Sequence, residues 1–499
     1  MALANDISAP LRHADRFFIG GEWVKPSTDA LIDVIDSTSE ELFFSVAEAQ
    51  EADMTRAVGA ARQAFDQGPW PRLSHVQRAE YLRAIAAELE KRAEDVGQIW
   101  PRESGVLHFI ATASVPGAAA TFAYYAGLAD TFPFEEEAQP TMGGQFGLLV
   151  REPVGVVGAI IPWNAPLSLI TYKIAPALIA GCTVILKASP EAPGEAYVMA
   201  EIAEAVGLPP GVLNVVTADR EVSELLVRDP RVDKITFTGS TAAGRRIASL
   251  CGERIARCTL ELGGKSAAVI LDDMDLATAA TSLARAECFL AGQVCSSLTR
   301  IVVSKSRHDE LVEALAGTFA QVQVGDPFDA ATQMGPLVAE RQRDRVEGYI
   351  AKGLAEGATL ATGGGRPAHL ERGWFIEPTV FGNVDNSSTI AQEEIFGPVL
   401  SVIPAQNEQD AIAIANDTIY GLNASVFTND VERARDVARQ LRSGTVGHNA
   451  FRTDFGIAFG GFKQSGIGRE GGIEGLQPFL ETKTVILEGR PGAYGASAS

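Results

Sequence analysis

Cys295 sits in Phe289–Arg300, "FLAGQVCSSLTR", just after a Gly-Gln pair. A thiolate is a strong nucleophile, but most free cysteines are buried and inert, so this stretch alone also fits a small core residue. Glu261 in "TLELGGKSA" ends a predicted strand before a double glycine. Carboxylates are seldom buried unless paired or functional, and an ordinary solvated one fits that stretch equally. Asn164 lies between two prolines in "PWNAP" (162–166). A rigid turn there presents either a preorganised amide donor or an Asn bonded to its own backbone. "FTGSTAAG" (237–244) follows a strand and opens a helix. Gly239 and Ser240 there suit a simple N-cap or an anion site at a positive helix end. Lys187 closes another strand, at the sheet edge where α/β proteins take ligands.

The elements that position these residues read as alternating strands and helices. Apolar runs at 154–161, 183–187, 212–216 and 233–238 alternate with helical patterns at 166–180, 195–206 and 220–228. Strands apolar on both faces argue a buried parallel sheet of doubly wound type. A second alternation starts after Leu262, with strands at 266–271 and 300–304 and a helix near 307–320. Residues 74–92 form an amphipathic helix with Leu82, Ile85, Ala86 and Leu89 on one face. Two strand candidates, 144–152 and 481–489, fall outside both units and are left to extend a sheet edge or pair with another subunit.

Composition narrows the function. With 63 acidic and 42 basic residues the net charge is −21, which disfavours nucleic acid and anionic membrane surfaces as partners. Five scattered cysteines and an N-terminus without a signal-peptide pattern suggest a reducing, cytoplasmic setting. No apolar run approaches the ~20 residues of a bilayer-spanning helix. His-Glu-x-x-His, Cys-x-x-Cys and Gly-x-Ser-x-Gly are all missing, so neither a metal site nor the commonest serine hydrolase is expected.

Together, "PWNAP", "LKASPEAP" (186–193), "FTGSTAAG", "LELGGKSA", "GQVC", "EEIFGPV" (393–399) and "FGGFKQSGIGRE" (459–470) resemble the NAD(P)-dependent aldehyde dehydrogenase superfamily, in that family's order. The resemblance covers roughly residues 15–488. It implies a doubly wound parallel-sheet cofactor domain (1–130 and 152–260), a second α/β catalytic domain (261–465) and a small β oligomerisation element (131–151 and 478–499). A homodimer or homotetramer follows.

By the same resemblance, Cys295 attacks the aldehyde carbon, Asn164 with the Cys295 N–H holds the oxyanion, and Glu261 activates the water that releases the acid. Lys173 and Glu470 fall at proton-relay and water-path positions. Ile160, Pro162, Trp163, Lys187, Ser189, Gly239, Ser240, Leu262, Glu394 and Phe396 fall at the cofactor cleft. Ala165, Leu169, Tyr172, Val294, Ser296, Phe451 and Phe459, with the loop 451–455, line an apolar tunnel. The other four cysteines are core. The alternatives are a coenzyme A-acylating relative, disfavoured by Glu261, and a silent binding protein, disfavoured by the intact trio.

Some positions depart from the family pattern. Pro190 replaces a carboxylate that NAD-preferring members use on the ribose, with Glu191 next to it. No Arg or extra Lys is near in sequence to hold a 2′-phosphate, which favours NAD and leaves NADP open. Leu290 and Ala291 replace common Asn residues, and Ala165 replaces a frequent Phe. The wider, uncharged tunnel points to a medium-to-bulky hydrophobic aldehyde.

Overall fold

The computed structural model describes residues 9–494. The ends of the proposed cofactor and oligomerisation segments (1–8 and 495–499), with most of the small-residue tail, lie outside the described residues.

Five strands form the parallel centre of the first sheet: Val156–Ile160, Thr183–Ala188, Leu213–Thr217, Lys234–Thr238 and Arg257–Glu261. Almost every residue in them is buried, because helices cover both faces. Three short antiparallel strands complete eight. Phe17–Ile19 and Glu22–Val24 add at one edge, and Gly466–Ile467 returns from the far end of the chain to pair with Arg257–Glu261 at the other.

The helix Pro166–Ala180 has proline at its first position and ends on Gly181 at φ 101°, a left-handed cap that favours glycine. His75–Glu90 starts with a Ser74–Gln77 capping box and buries the expected apolar face.

The second sheet has seven strands, ordered Thr359–Thr362, Thr379–Gly382, Val399–Ala405, Arg300–Ser304, Ala267–Ile270, Asn423–Phe427 and Thr445–His448. All of its pairs are parallel except that made by Thr359–Thr362. The two orphan strand candidates extend neither sheet. Phe146–Pro153 and Leu480–Leu487 pair with each other over eight residues, and Glu135–Ala138 adds a third strand. The carboxyl ends of the first sheet's parallel strands, with the loops that lead into the amino ends of Ala267–Ile270, Arg300–Ser304 and Val399–Ala405 in the second, carry the candidate site.

Candidate active site

Cys295 follows a chain reversal built from left-handed backbone. The helix Leu276–Cys288 runs into a single 3-10 turn, Phe289–Gly292, where Leu290 and Ala291 both have φ 52° and Gly292 has φ 70°. Glycine is required at 292, since a Cβ there would lie 2.5 Å from the Gly397 carbonyl. Leu290 and Ala291 adopt a conformation that costs on the order of 1 kcal/mol each. Leu290 is held in it by packing on Trp100, Val106 and Ala111. Gln293 braces the turn: its Nε2 donates to Leu290 O (3.0 Å) and its Oε1 accepts from Val338 N (3.0 Å).

Past the nucleophile, Asn423 Nδ2 donates to Ser296 O and Ser297 Oγ donates to Glu287. Burial, helped by the carboxylates of Glu394 and Glu261, pushes the Cys295 thiol up to about 12, against the backbone N–H groups of Ser296 and Cys295. The resting group is therefore a thiol whose proton must leave as it attacks.

Asn164 leaves the end of strand Val156–Ile160 and meets that loop directly. Its Nδ2 donates to Gln293 O at 3.0 Å, two residues before Cys295, and the amide's other N–H remains for a second acceptor.

Glu261 is the last residue of its strand, paired with Thr238 on one side and Gly466 on the other. It is 3% exposed, and neither carboxylate oxygen has a hydrogen-bond partner among the described residues. A Cβ on Gly460 would stand 2.7 Å from Glu261 Oε1, so glycine keeps this approach open. Burial, then the Glu470 carboxylate, raise Glu261 well above the usual carboxylate range, while Lys173 and Arg469 pull the other way. Lys173, with no exposed surface, bonds Glu470 Oε1 and donates to Thr238 Oγ1 at 2.6 Å. Glu470 Oε2 is without a partner. A buried acid with unsatisfied oxygens suits a base that takes up a water.

The cofactor candidates line the neighbouring edge. Ile160 ends its strand, Pro162 follows two residues on, and Trp163 meets Phe396 edge-on, centroids 5.3 Å apart at 88°. Phe396 is itself left-handed at φ 63°. Glu394 Oε1 accepts from Gly264 N (3.2 Å), and burial lifts its carboxyl to about 7. Ser240 is exposed and caps Thr241–Glu253, accepting from Ala243 N (3.3 Å). The first-turn amides of that helix face outward with a positive dipole end, as a pyrophosphate requires. Leu262 packs where a Cβ on Gly244 would collide, and Gly239 lies against the Phe237 ring.

Burial lowers Lys187 to about 8, with Glu191 and Asp219 opposing. Ser189 Oγ donates to Glu191, whose carboxylate also pairs with Arg341. The sequence showed no arginine near Lys187. The fold supplies one, Arg341, from 150 residues away and ties it to Glu191 beside Pro190. Donor hydroxyls, a buried ammonium and the N-terminus of Thr241–Glu253 fit a dinucleotide.

In the tunnel region Tyr172 stacks on Phe455 (3.9 Å, 3°), which stacks on Phe459 (4.2 Å, 25°). Leu169 is buried, and Ala165 and Val294 both pack on the Trp100–Leu290 cluster. Ser296 is buried beside Cys295. Phe451 instead packs against the core of the second sheet, so the stack runs through Phe455. Arg341 is the site residue that the sequence reading does not name; Gln293, Glu191 and Phe455 fall within stretches it marks, without the contacts found here.

The aldehyde dehydrogenase family matches residues 23–485. The chain belongs to that family.

Within the aldehyde dehydrogenases it is 45% identical to a geranial dehydrogenase of Castellaniella defragrans, over 95% of this chain and 98% of that one. It is similar to a Mycobacterium tuberculosis aldehyde dehydrogenase solved with NAD+: 48% identity, TM-score 0.92, 95% and 98% coverage. It is also similar to a cysteine-to-alanine variant of Pseudomonas syringae aldehyde dehydrogenase C, solved with NAD+ and octanal: 39% identity, TM-score 0.92, 97% and 99% coverage. No described helix is long and apolar enough to cross a membrane, and the described residues hold no cluster of metal-binding side chains.

Proposed function

We propose that this aldehyde dehydrogenase oxidises medium-to-bulky apolar aldehydes to carboxylic acids, with Cys295 as nucleophile, Asn164 as oxyanion donor, Glu261 as base and NAD as hydride acceptor. The observation that carries the reading is the convergence of Asn164 and buried, unpartnered Glu261 on the Cys295 loop.

Cys295 Sγ bonds the aldehyde carbon while its proton passes to water, as the H+ that the oxidation releases, and the aldehyde oxygen takes the electron pair. That oxyanion is met by the free Asn164 N–H and the Cys295 amide. Collapse of that adduct expels the aldehyde hydrogen as hydride and leaves the acyl group on Cys295 as a thioester; a bound nicotinamide dinucleotide would supply the hydride acceptor. Lys187, Ser189, Ser240, Glu394, Phe396 and Trp163 would hold that group. Glu261 Oε then takes a proton from water as the water oxygen bonds the acyl carbon, and the C–S bond breaks to return the thiol and release the acid. Lys173 and Glu470 hold charge beside Glu261.

Several observations support the finer choices. Glu191 puts a negative charge beside Lys187, against a 2′-phosphate, and the Mycobacterium relative was solved with NAD+. The aromatic stack, small Ala165 and uncharged lining suit an apolar chain, in keeping with relatives named for geranial or solved with octanal. Three of the four sheets support the three-domain division given above, and the half-exposed edge strand Leu480–Leu487 suits pairing in a dimer or tetramer. Five free thiols suit a reducing, cytoplasmic compartment.

The test follows NADH and NADPH formation with octanal, geranial and betaine aldehyde. Wild type is expected to favour the two apolar aldehydes in kcat/KM and to prefer NAD, and Cys295→Ala should abolish turnover. Betaine aldehyde as best substrate would overturn the specificity, and undiminished Cys295→Ala the mechanism.

A further inference from the structure

The turn that carries Asn164 has little means of fixing itself. Ala165, the N-cap of Pro166–Ala180, has no side-chain oxygen to offer and sits at φ −146°, ψ 62°. Yet the peptide groups on both sides of the Asn164 Cα are gripped from outside. Ser104 Oγ donates to Trp163 O at 2.8 Å, and Trp100 Nε1 donates to Asn164 O at 3.2 Å. Glu195 Oε2, from a third segment, accepts from Leu167 N at 2.7 Å and does the capping that Ala165 cannot.

Trp100 and Ser104 are four residues apart on one helix, Ala93–Ser104, and so share a face. They are 3% and 1% exposed, so neither bond competes with bulk water. The Trp100 ring has a second contact. It packs with Val106 and Ala111 around Leu290, where the left-handed reversal leading to Cys295 begins. One helix face thus touches both halves of the reaction centre, through hydrogen bonds to the Asn164 turn and through packing on the Cys295 loop. The Asn164 Nδ2 to Gln293 O bond closes the triangle.

We propose that Ser104 and Trp100 are positioning residues that set where the Asn164 N–H stands relative to Cys295 Sγ. The inference rests on the oxyanion role assigned to Asn164. Donors aimed at a developing charge act within a few tenths of an ångström, and a turn free to tilt about its prolines would lose that aim. Substrate binding depends on other residues, so the effect belongs to kcat.

The test is a double-mutant cycle on the full chain. Ser104→Ala, Trp100→Phe and Asn164→Ala are made singly, and each of the first two is combined with Asn164→Ala. Ser104→Ala removes only a hydroxyl and Trp100→Phe keeps an aromatic ring, so loss of the fold by one leaves the other to decide. Each single change is expected to lower kcat about tenfold with KM within about twofold. In Ser104→Ala, alkylation of Cys295 by iodoacetamide should keep its wild-type rate, because that reaction builds no oxyanion. In the Asn164→Ala background each change should cost less than about twofold more. Full additivity, or a rise in KM with kcat intact, overturns the positioning role. Undiminished kcat in Asn164→Ala alone instead overturns the oxyanion reading beneath it, and the two failures are read from different variants.

Discussion

The loop of Cys295 and the pocket of Glu261 solve opposite problems. The loop is held by backbone and neutral donors: left-handed turns at Leu290, Ala291 and Gly292, the two ends of Gln293, and the Asn164 amide. The Glu261 pocket is held by strand register, between Thr238 and Gly466, and its chemistry is set by the charges of Glu470, Lys173 and Arg469. A nucleophile must be aimed, and neutral, short-range, directional contacts do that. A base must have the right basicity, and long-range charge does that. Consecutive left-handed non-glycine residues accordingly mark the loop, and a carboxylate with neither oxygen paired among the described residues marks the pocket.

The comparison breaks most visibly in Glu261→Gln. Steady-state oxidation is expected to fall on the order of 10²–10³-fold, while a burst of about one NADH per active site survives, since aiming and oxidation stay intact. Rapid mixing measures it, and loss of the burst would show that the two regions are not separable.

Next comes Glu470→Gln, which removes the repulsion that helps hold Glu261 protonated. The Glu261 carboxyl then ionises at lower pH, so the acidic limb of the kcat profile should move to lower pH; Lys173→Met should move it to higher pH. An acidic limb that stays in place in both variants would disconnect these charges from the base.

The smallest effect sharpens the other side. Ala291→Gly relieves a left-handed alanine and should stabilise the chain by about 1 kcal/mol with kcat within about twofold, seen as a higher urea midpoint. No gain would mean that neighbouring packing, rather than strain, sets the turn.

Much of this layout was legible in sequence for identifiable reasons. The strand Val156–Ile160 is apolar on both faces, and Pro166 and Gly181 punctuate the helix between it and Thr183–Ala188. Asn164 lies in a rare local pattern, whereas Cys295 and Glu261 are marked by the ordered set of motifs around them. What stayed hidden was whatever depends on a distant partner. Lys173 and Glu470 are 297 residues apart, and Arg341 and Glu191 are 150 apart. Glu135–Ala138, "EEEA", has poor strand propensity and is a strand only because Phe146–Pro153 offers it an edge. Leu290 and Ala291 disguise positive φ, because apolar side chains give no turn signal of the kind Asn or Gly would. Phe455 sits in a loop without periodicity, where nothing local reveals stacking.

The short pairing of Gly466–Ile467 with Leu260–Glu261 also bears on how the enzyme comes into being. Synthesis runs from the N-terminus, and a domain can finish folding only when its last strand has emerged. Here that strand appears some two hundred residues after its neighbour, in the same stretch that delivers Gly460 and Glu470. A nascent chain that already displays the Cys295 thiol therefore still lacks the walls of the hydrolytic pocket. Completion of that pocket waits until late in translation, when the last strand of the first sheet emerges.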